Sequence, residues 1–302
     1  MGGSIFTPYR RTQLFVLIAC IACFVMFWCA GRALSIPNET GFEASLLQQP
    51  HWPLDVLGTY VLFAVCVVLG TLIAGWTWFF AGLFAAAIGM VAFSARGGAM
   101  RYVLFHAAAG GSPRQVYLML ALEQCLLFLP IAIAWVIMHR RYEAATAGMQ
   151  KAPAEPKESG TSAVPMSLLT QIVAMGFVVL LFAPTDAKKQ VLIGGFVAGF
   201  VGTALTEHLF PDRKAARFFW VGPLMVGLIG YLVAYATGTD FTIGSPLGTF
   251  AALARPLPLD YASAGVAGAI LGYWVGAERP ELPSRSRRQL LMPPSDPSTI
   301  RQ

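Results

Sequence analysis

Long unbroken apolar runs are the feature that most constrains how this chain can fold. Hydrophobic residues make up 56% of the 302 residues and charged residues 12%, which is about half the charged fraction of a soluble domain. Each run is roughly 17–25 residues long, the length that an α-helix needs to cross a bilayer. Strands of a membrane barrel would instead alternate apolar and polar residues. The sequence therefore predicts an all-α fold, a polytopic transmembrane helical bundle.

Eight of these runs are candidate spans. The stretch 54–95 is too long for one crossing, and we expect it to turn at Gly75 and Trp76, with indole rings at the headgroup level. The predicted spans cover residues 14–33, 54–74, 76–95, 115–138, 166–184, 190–208, 218–237 and 260–277.

A polar segment divides the predicted spans into two groups of four. Residues 142–165 are rich in Ala, Pro, Glu, Lys, Gly and Ser, and they carry too little apolar surface to offset the entropy of ordering. We therefore expect a disordered cytoplasmic linker there. The predicted organisation is an N-terminal four-helix half at 1–141, the linker at 142–165, a glycine-rich four-helix half at 166–278 and a basic, proline-rich tail at 279–302.

The basic residues predict an orientation. With the N-terminus in the cytoplasm, most of the 21 Lys and Arg residues fall in cytoplasmic segments, as the positive-inside rule expects. Both termini are then cytoplasmic, and short loops are typical of a bacterial inner membrane. The loop at 96–114 conflicts with this orientation because Arg96, Arg101 and Arg114 would lie outside, so its side stays open.

The net charge of +6 raises the alternative of a nucleic-acid partner. The basic residues lie beside apolar segments, where they orient helices, and no aromatic and basic stacking platform accompanies them. We therefore expect the lipid bilayer, and not nucleic acid, to be the partner of this charge.

Glu123 is the first candidate for function, because a carboxylate at the middle of a span costs about 3 kcal/mol on insertion scales. Pro130 lacks the amide that would bond the carbonyl of Leu126, so a polar notch beside a kink is predicted. Glu123, Gln124 and Pro130 are candidates for a transport or relay path. The alternative is a hydrogen-bonded Glu123 that fixes helix packing.

Glu207 and His208 end the sixth predicted span. Adjacent helical residues point in different directions, so the two side chains cannot act as a pair on one face. We interpret them as interfacial charges that reach headgroup water, with Glu207 paired to Arg213, Lys214 or Arg217. The alternative is a buried reactive group at this position.

Small residues recur at helical spacing in the sixth and eighth predicted spans. Such stripes allow helix backbones to approach closely in lipid, so we expect these two spans to pack against each other. The alternatives are an oligomer interface, either with another copy or with a membrane partner, and a pore lining. The glycines are Gly195, Gly199, Gly202, Gly265, Gly268, Gly272 and Gly276.

The segment 245–254 predicts a short helix, with Ser245 as N-cap, Pro246 at its first position and Pro256 beyond its end. It is too short to cross a bilayer. It could lie on the surface as an amphipathic helix or enter the membrane as a re-entrant element.

Catalytic patterns do not stand out in this sequence. It contains no Walker A, HExxH or GxSxG motif, and Cys20-x-x-Cys23 has no nearby His or carboxylate, so these thiols are expected to pack as small hydrophobes. We expect no metal and no cofactor. The predicted role is a non-catalytic structural or assembly component. The alternatives are a transporter or channel for a small solute or ion with Glu123 in its path, and a membrane enzyme acting on lipid.

Overall fold

The fold is helical almost throughout the part of the chain that the structure describes. A computed structural model describes residues 8–34, 37–38, 41–42, 45–74, 80–109, 113–147, 163–210, 218–237 and 252–277. The helices are α1 Pro8–Leu34, α2 Trp52–Ala74, α3 Ala81–Ser94, α4 Met100–Ala109, α5 Pro113–Ala147, α6 Ala163–Phe182, α7 Lys188–Leu209, α8 Val221–Thr237, α9 Pro258–Asp260 and α10 Val266–Ala277.

Short elements complete the described chain. A π-helical segment, Tyr261–Gly265, joins α9 to α10, and 3₁₀ turns cover Leu46–Gln48 and Ala252–Ala254. Two strands of two residues, β1 Pro37–Asn38 and β2 Gly41–Phe42, pair antiparallel, with Pro37 opposite Phe42.

Five helices are long and apolar enough to cross a membrane. They include Gln13–Gly31, Trp52–Ala74, Arg114–Arg141, Val164–Phe182 and Lys188–Leu209, whereas the apolar helices α3 and α8 are shorter. Large apolar side chains on their outer faces are exposed, among them Leu72 at 69%, Val173 at 61% and Phe177 at 61%. Exposed apolar surface of this kind suits a lipid environment, so the fold fits a membrane location.

The structure differs from the sequence prediction around the linker and the loop 96–114. Helix α5 continues to Ala147 and α6 begins at Ala163, so both helices enter the predicted linker, since Ala and Glu near these ends favour helix. The loop at 96–114 contains α4. The rest of the linker, the basic loop 211–217, most of the segment 245–254 and the C-terminal tail lie outside the described residues.

One hydrophobic core runs through helices from both sides of the linker. Phe27, Leu127, Val226 and Ile270 belong to the same buried cluster. Helix α5 packs against α8, and α3 packs against the π segment. The division into two four-helix halves therefore remains a prediction, while the packing across it is continuous.

Helices α7 and α10 pack backbone to backbone where glycines face the opposite helix. A methyl group on Cα of Gly268 would lie 2.0 Å from the carbonyl oxygen of Phe196, and one on Gly272 would lie 2.4 Å from that of Phe200. On α7, a methyl group on Gly199 would lie 2.2 Å from the carbonyl oxygen of Gly265. Any side chain at these positions would force the helices apart, because real Cβ atoms do not approach so closely.

Arginine side chains bind helix carbonyls at one end of the bundle. Arg96 donates to the carbonyl of Trp28 at 2.7 Å, and Arg114 donates to those of Tyr235 at 2.7 Å and Ala236 at 3.2 Å. The carbonyls of Tyr235 and Ala236 lie in the last turn of α8, where backbone acceptors lack amide partners and the helix dipole favours cations. The arginines in the predicted outer loop therefore have structural partners within the fold.

Arg101 forms an ion pair with Asp186, in the connection between α6 and α7. Its Nε donates to Asp186 Oδ2 at 2.7 Å and its Nη2 donates to Oδ1, while the Arg101 backbone amide donates to Oδ2 at 3.3 Å. Burial raises the pKa of the Asp186 carboxyl, but the hydrogen bonds and charge of Arg101 outweigh burial and hold that pKa below its usual value. The pair thus ties α4 to the start of α7.

Acid should weaken this connection. The pKa of Asp186 is lower in the folded than in the unfolded protein, so the ionised carboxylate stabilises the fold. This stabilisation is complete above the unfolded pKa of about 3.9 and is lost as pH falls through the folded pKa. We expect Asp186→Asn to lower Tm in detergent at about pH 6, with the difference from wild type shrinking towards about pH 3. A difference that stays constant over this range would contradict the pairing.

Candidate functional site

Glu123 is buried in the third turn of α5, with 1% of its surface exposed. The Ser45 hydroxyl donates to Oε2, the Leu46 amide donates to Oε1 at 3.2 Å, and the Leu47 amide donates to Oε2 at 3.4 Å. An ionised carboxylate accepts hydrogen bonds only, so it satisfies all three donors at once. Glu123 thereby holds the start of the Leu46–Gln48 turn against α5.

The carbonyl that Pro130 leaves without an amide also has a partner. Pro130 lies inside α5, and the Tyr60 hydroxyl of α2 donates to the carbonyl oxygen of Leu126 at 2.6 Å. The polar notch that the sequence predicts beside Pro130 is therefore occupied by a side chain of a neighbouring helix. This contact joins α2 to α5.

Asp260 is the second buried carboxylate at this end of the bundle, with 1% of its surface exposed. Lys188 Nζ lies 2.6 Å from its Oδ1, which also accepts from the Ser94 hydroxyl. Its Oδ2 accepts from the Leu257 amide at 2.9 Å. Asp260 thus joins α3, the start of α7 and the turn before α9.

We call Ser45, Ser94, Glu123, Lys188 and Asp260 the polar cluster. Lys188 forms an ion pair with Asp260, whereas Glu123 is bound by the Ser45 hydroxyl and two backbone amides. Sequence reasoning singled out Glu123 but missed Lys188 and Asp260. The available signal was their position at the starts of predicted spans, where charge is usually attributed to headgroup contact.

Gln124, which follows Glu123, is completely buried and faces α8. Its Nε2 donates to the carbonyl of Pro223 at 3.4 Å, whereas its Oε1 accepts no hydrogen bond from the described residues. A methyl group on Gly227 would lie 2.6 Å from Nε2, so this glycine leaves the space that the amide occupies. Gln124 and Glu123 point to different neighbours and do not form a pair.

Glu207 and His208 lie at the opposite end of α7. His208 is exposed, and Glu207 is half-buried, next to Gly276 of α10, whose added methyl group would lie 2.6 Å from Glu207 Cβ. The basic residues predicted to pair with Glu207 lie outside the described residues. The two side chains are thus in different environments.

Glu207 also lines a cleft between α6 and α7, and we call this feature the polar cleft. Gln171 Nε2 donates across it to Thr203 Oγ1 at 2.9 Å and to the carbonyl of Phe219 at 2.7 Å. Sequence reasoning missed Gln171 and Thr203, because single Thr and Gln residues in an apolar run give little signal. The polar side chains that line the cleft are Ser167, Gln171, Thr203, Thr206 and Glu207.

The described residues do not bring together three or more His, Cys, Asp or Glu side chains in an arrangement suited to a metal ion. The thiol of Cys23 on α1 donates to the carbonyl of Cys66 on α2 at 3.5 Å. Both side chains are buried in the hydrophobic core, where they contribute to packing between these two helices.

No family model, curated protein or solved structure matches this chain.

Proposed function

We propose that this chain is a multi-pass membrane protein that acts as a non-catalytic structural or assembly component. The observation that carries the proposal is that the buried charges of the polar cluster are bound to one another and to backbone amides. Glu123 accepts three hydrogen bonds, and Asp260 is paired with Lys188. Charges arranged in this way fix the relative positions of helices, and each of these three side chains is already bound within the described fold.

The same contacts weigh against transport through Glu123. A relay group must exchange its partners with water or a solute, whereas Glu123 has 1% of its surface exposed and both oxygens engaged. The polar cleft lies at the other end of α7 and is not lined by Glu123. These observations favour the interpretation in which Glu123 fixes helix packing.

We further propose eight spans with both termini in the cytoplasm. Three spans would join the five long helices: α3, α8, and the continuous helical stretch from α9 through α10. Arg96, Arg101 and Arg114 bind carbonyl and carboxylate groups of the fold. Because these contacts account for the three arginines, they support an outer position for the loop 96–114. Reporter fusions after residues 34, 147 and 302 test this, since we expect the first to report the outside and the others the cytoplasm.

The glycine contacts support a packing role within one chain. Gly199, Gly268 and Gly272 face the opposite helix of the same molecule. Few glycines of either stripe therefore remain available to contact a second copy of the chain. We therefore propose that any partner binds elsewhere on the lipid-facing surface.

The assembly role can be tested by isolating the protein from its native membrane in a mild detergent. We expect a defined membrane partner to be recovered at a constant ratio over successive purification steps. Recovery of the chain alone, from membranes in which it is fully expressed, would contradict an assembly role.

The variant Glu123→Gln distinguishes a packing role of Glu123 from a transport role. The amide places an N–H₂ group where a carboxylate oxygen accepts hydrogen bonds, and leaving buried donors unsatisfied costs about 1–3 kcal/mol. We expect the variant to have a Tm lower than that of the wild type by about 2–10 °C. In vesicles under an imposed potential, we expect neither the wild type nor the variant to show a proton flux above that of protein-free vesicles.

Gln115→Glu, the reverse change at an exposed position of the same helix, is the matched control and should leave Tm unchanged. A proton flux in wild-type vesicles that Glu123→Gln abolishes without a change in Tm would contradict the structural role and favour transport.

A further inference from the structure

The polar cleft offers oxygen acceptors whose neighbouring donors are already in use. The Ser167 hydroxyl donates to the carbonyl of Val164 at 2.8 Å, and that of Thr206 donates to the carbonyl of Gly202 at 2.7 Å. The Gln171 Nε2 group donates to Thr203 and to the Phe219 carbonyl. What these groups still offer to the cleft is lone pairs, which suit a cation and not an anion.

In its ionised form, Glu207 supplies the negative charge at this site. Among the described residues, none forms an ion pair with it, and its stem lies against α10 at Gly276. The four other polar side chains of the cleft are almost fully buried, at 2% for Ser167, 3% for Gln171, 2% for Thr203 and 6% for Thr206. A half-buried carboxylate beside buried oxygen atoms is an unusual combination in so apolar a chain.

The size of the cleft limits the ligand. The cleft has a volume of about 10 Å³, which is at the lower limit for one water molecule or one small ion. An organic solute would not fit. A single carboxylate balances one positive charge, whereas Ca²⁺ and Mg²⁺ sites usually contain several oxygen ligands with more negative charge.

We propose that the polar cleft binds one monovalent cation of the size of Na⁺, held by the Glu207 carboxylate and by oxygen atoms of Ser167, Gln171 and Thr206. The site lies between the first turns of α6 and the last turns of α7. A bound cation therefore bridges these two helices at that end of the bundle. This role goes beyond that of a structural component, because it makes the stability of the bundle depend on an ion.

The test compares the thermal stability of the full chain in detergent in NaCl and in choline chloride at equal ionic strength. Choline is too large for the cleft. At a Na⁺ concentration about five times its Kd, we expect the Tm of the wild type to exceed its value in choline by about 2–4 °C. Glu207→Gln and Thr206→Val should each abolish most of this difference. A parallel measurement in KCl tests whether the site distinguishes Na⁺ from the larger K⁺ ion.

Two matched variants keep the test specific. Thr170 is an exposed residue of α6 whose hydroxyl donates to the carbonyl of Met166, so Thr170→Val repeats the Thr206 change outside the cleft and should retain the Na⁺ effect. His208→Gln changes the exposed neighbour of Glu207 and should also retain it.

Three results would overturn the proposal: equal Tm values for the wild type in the two salts, a Na⁺ effect that Glu207→Gln leaves intact, or an equal loss in Thr170→Val. If Glu207 instead binds a basic side chain of the segment 211–217, Glu207→Gln will lower Tm equally in both salts, and the wild type will not respond to Na⁺. Failure here leaves the assembly role untouched, since that role rests on the polar cluster at the other end of α7.

Discussion

Replacing Lys188 with methionine should lower the Tm of the protein in detergent by roughly 10 °C. The change removes the cation paired with Asp260, and among the described residues it leaves this buried carboxylate with only Ser94 and the Leu257 amide as donors. Removing one partner of a buried ion pair costs about 3–5 kcal/mol, because the other charge stays without compensation. For a chain of this size, each 1 kcal/mol shifts Tm by about 2–4 °C.

The neighbouring residue supplies the control. Lys189 is exposed, so Lys189→Met removes the same charge one position along the chain and should change Tm by no more than about 1–2 °C. The double variant Lys188→Met with Asp260→Asn removes both charges and should recover part of the loss. Equal effects of the two lysine substitutions would show that the ion pair does not stabilise the fold.

Gly199→Ala should destabilise the protein by a comparable amount. The added methyl group would lie 2.2 Å from the carbonyl oxygen of Gly265 and 2.8 Å from the amide nitrogen of Ala269. Backbone atoms cannot move aside as a flexible side chain can, so α7 and α10 must separate. Overpacking of this kind costs about 1–3 kcal/mol and sometimes more, which corresponds to a fall in Tm of roughly 5–10 °C.

Gly195→Ala is the matched control on the same stripe. The nearest atom to its added methyl group would be the amide nitrogen of Gly265 at 3.9 Å, an ordinary contact distance. Alanine also favours helix over glycine by about 1 kcal/mol, so Tm should stay the same or rise slightly. A similar loss in both variants would contradict the close approach of α7 and α10 and would favour a stripe that faces another molecule.

The sequence predicts the long helices well because bilayer thickness and helix rise leave little freedom in the length of an apolar run. It predicts helix ends less well. Helix α5 extends to Ala147 because local helix propensity continues past the apolar run. The short α4 could not be anticipated from apolar length at all.

The candidate sites show a different limit. Glu123 could be singled out because it interrupts an apolar run, but one of its donors, Ser45, lies 78 positions away in the sequence. Lys188 and Asp260 are 72 positions apart and come together only through the packing of α7 against α9. A single sequence contains no signal for such pairings, since each residue alone resembles an ordinary helix-end charge.

The composition of α7 between its two polar ends has an electrical consequence. From position 191 to position 202 the helix contains only Val, Leu, Ile, Gly, Phe and Ala, a length of about 18 Å without a side-chain oxygen. An ion that left the cleft along this helix would lose its ligands in a medium of low dielectric constant, at a cost of many times the thermal energy. Between positions 191 and 202, helix α7 therefore offers no side-chain ligand to an ion.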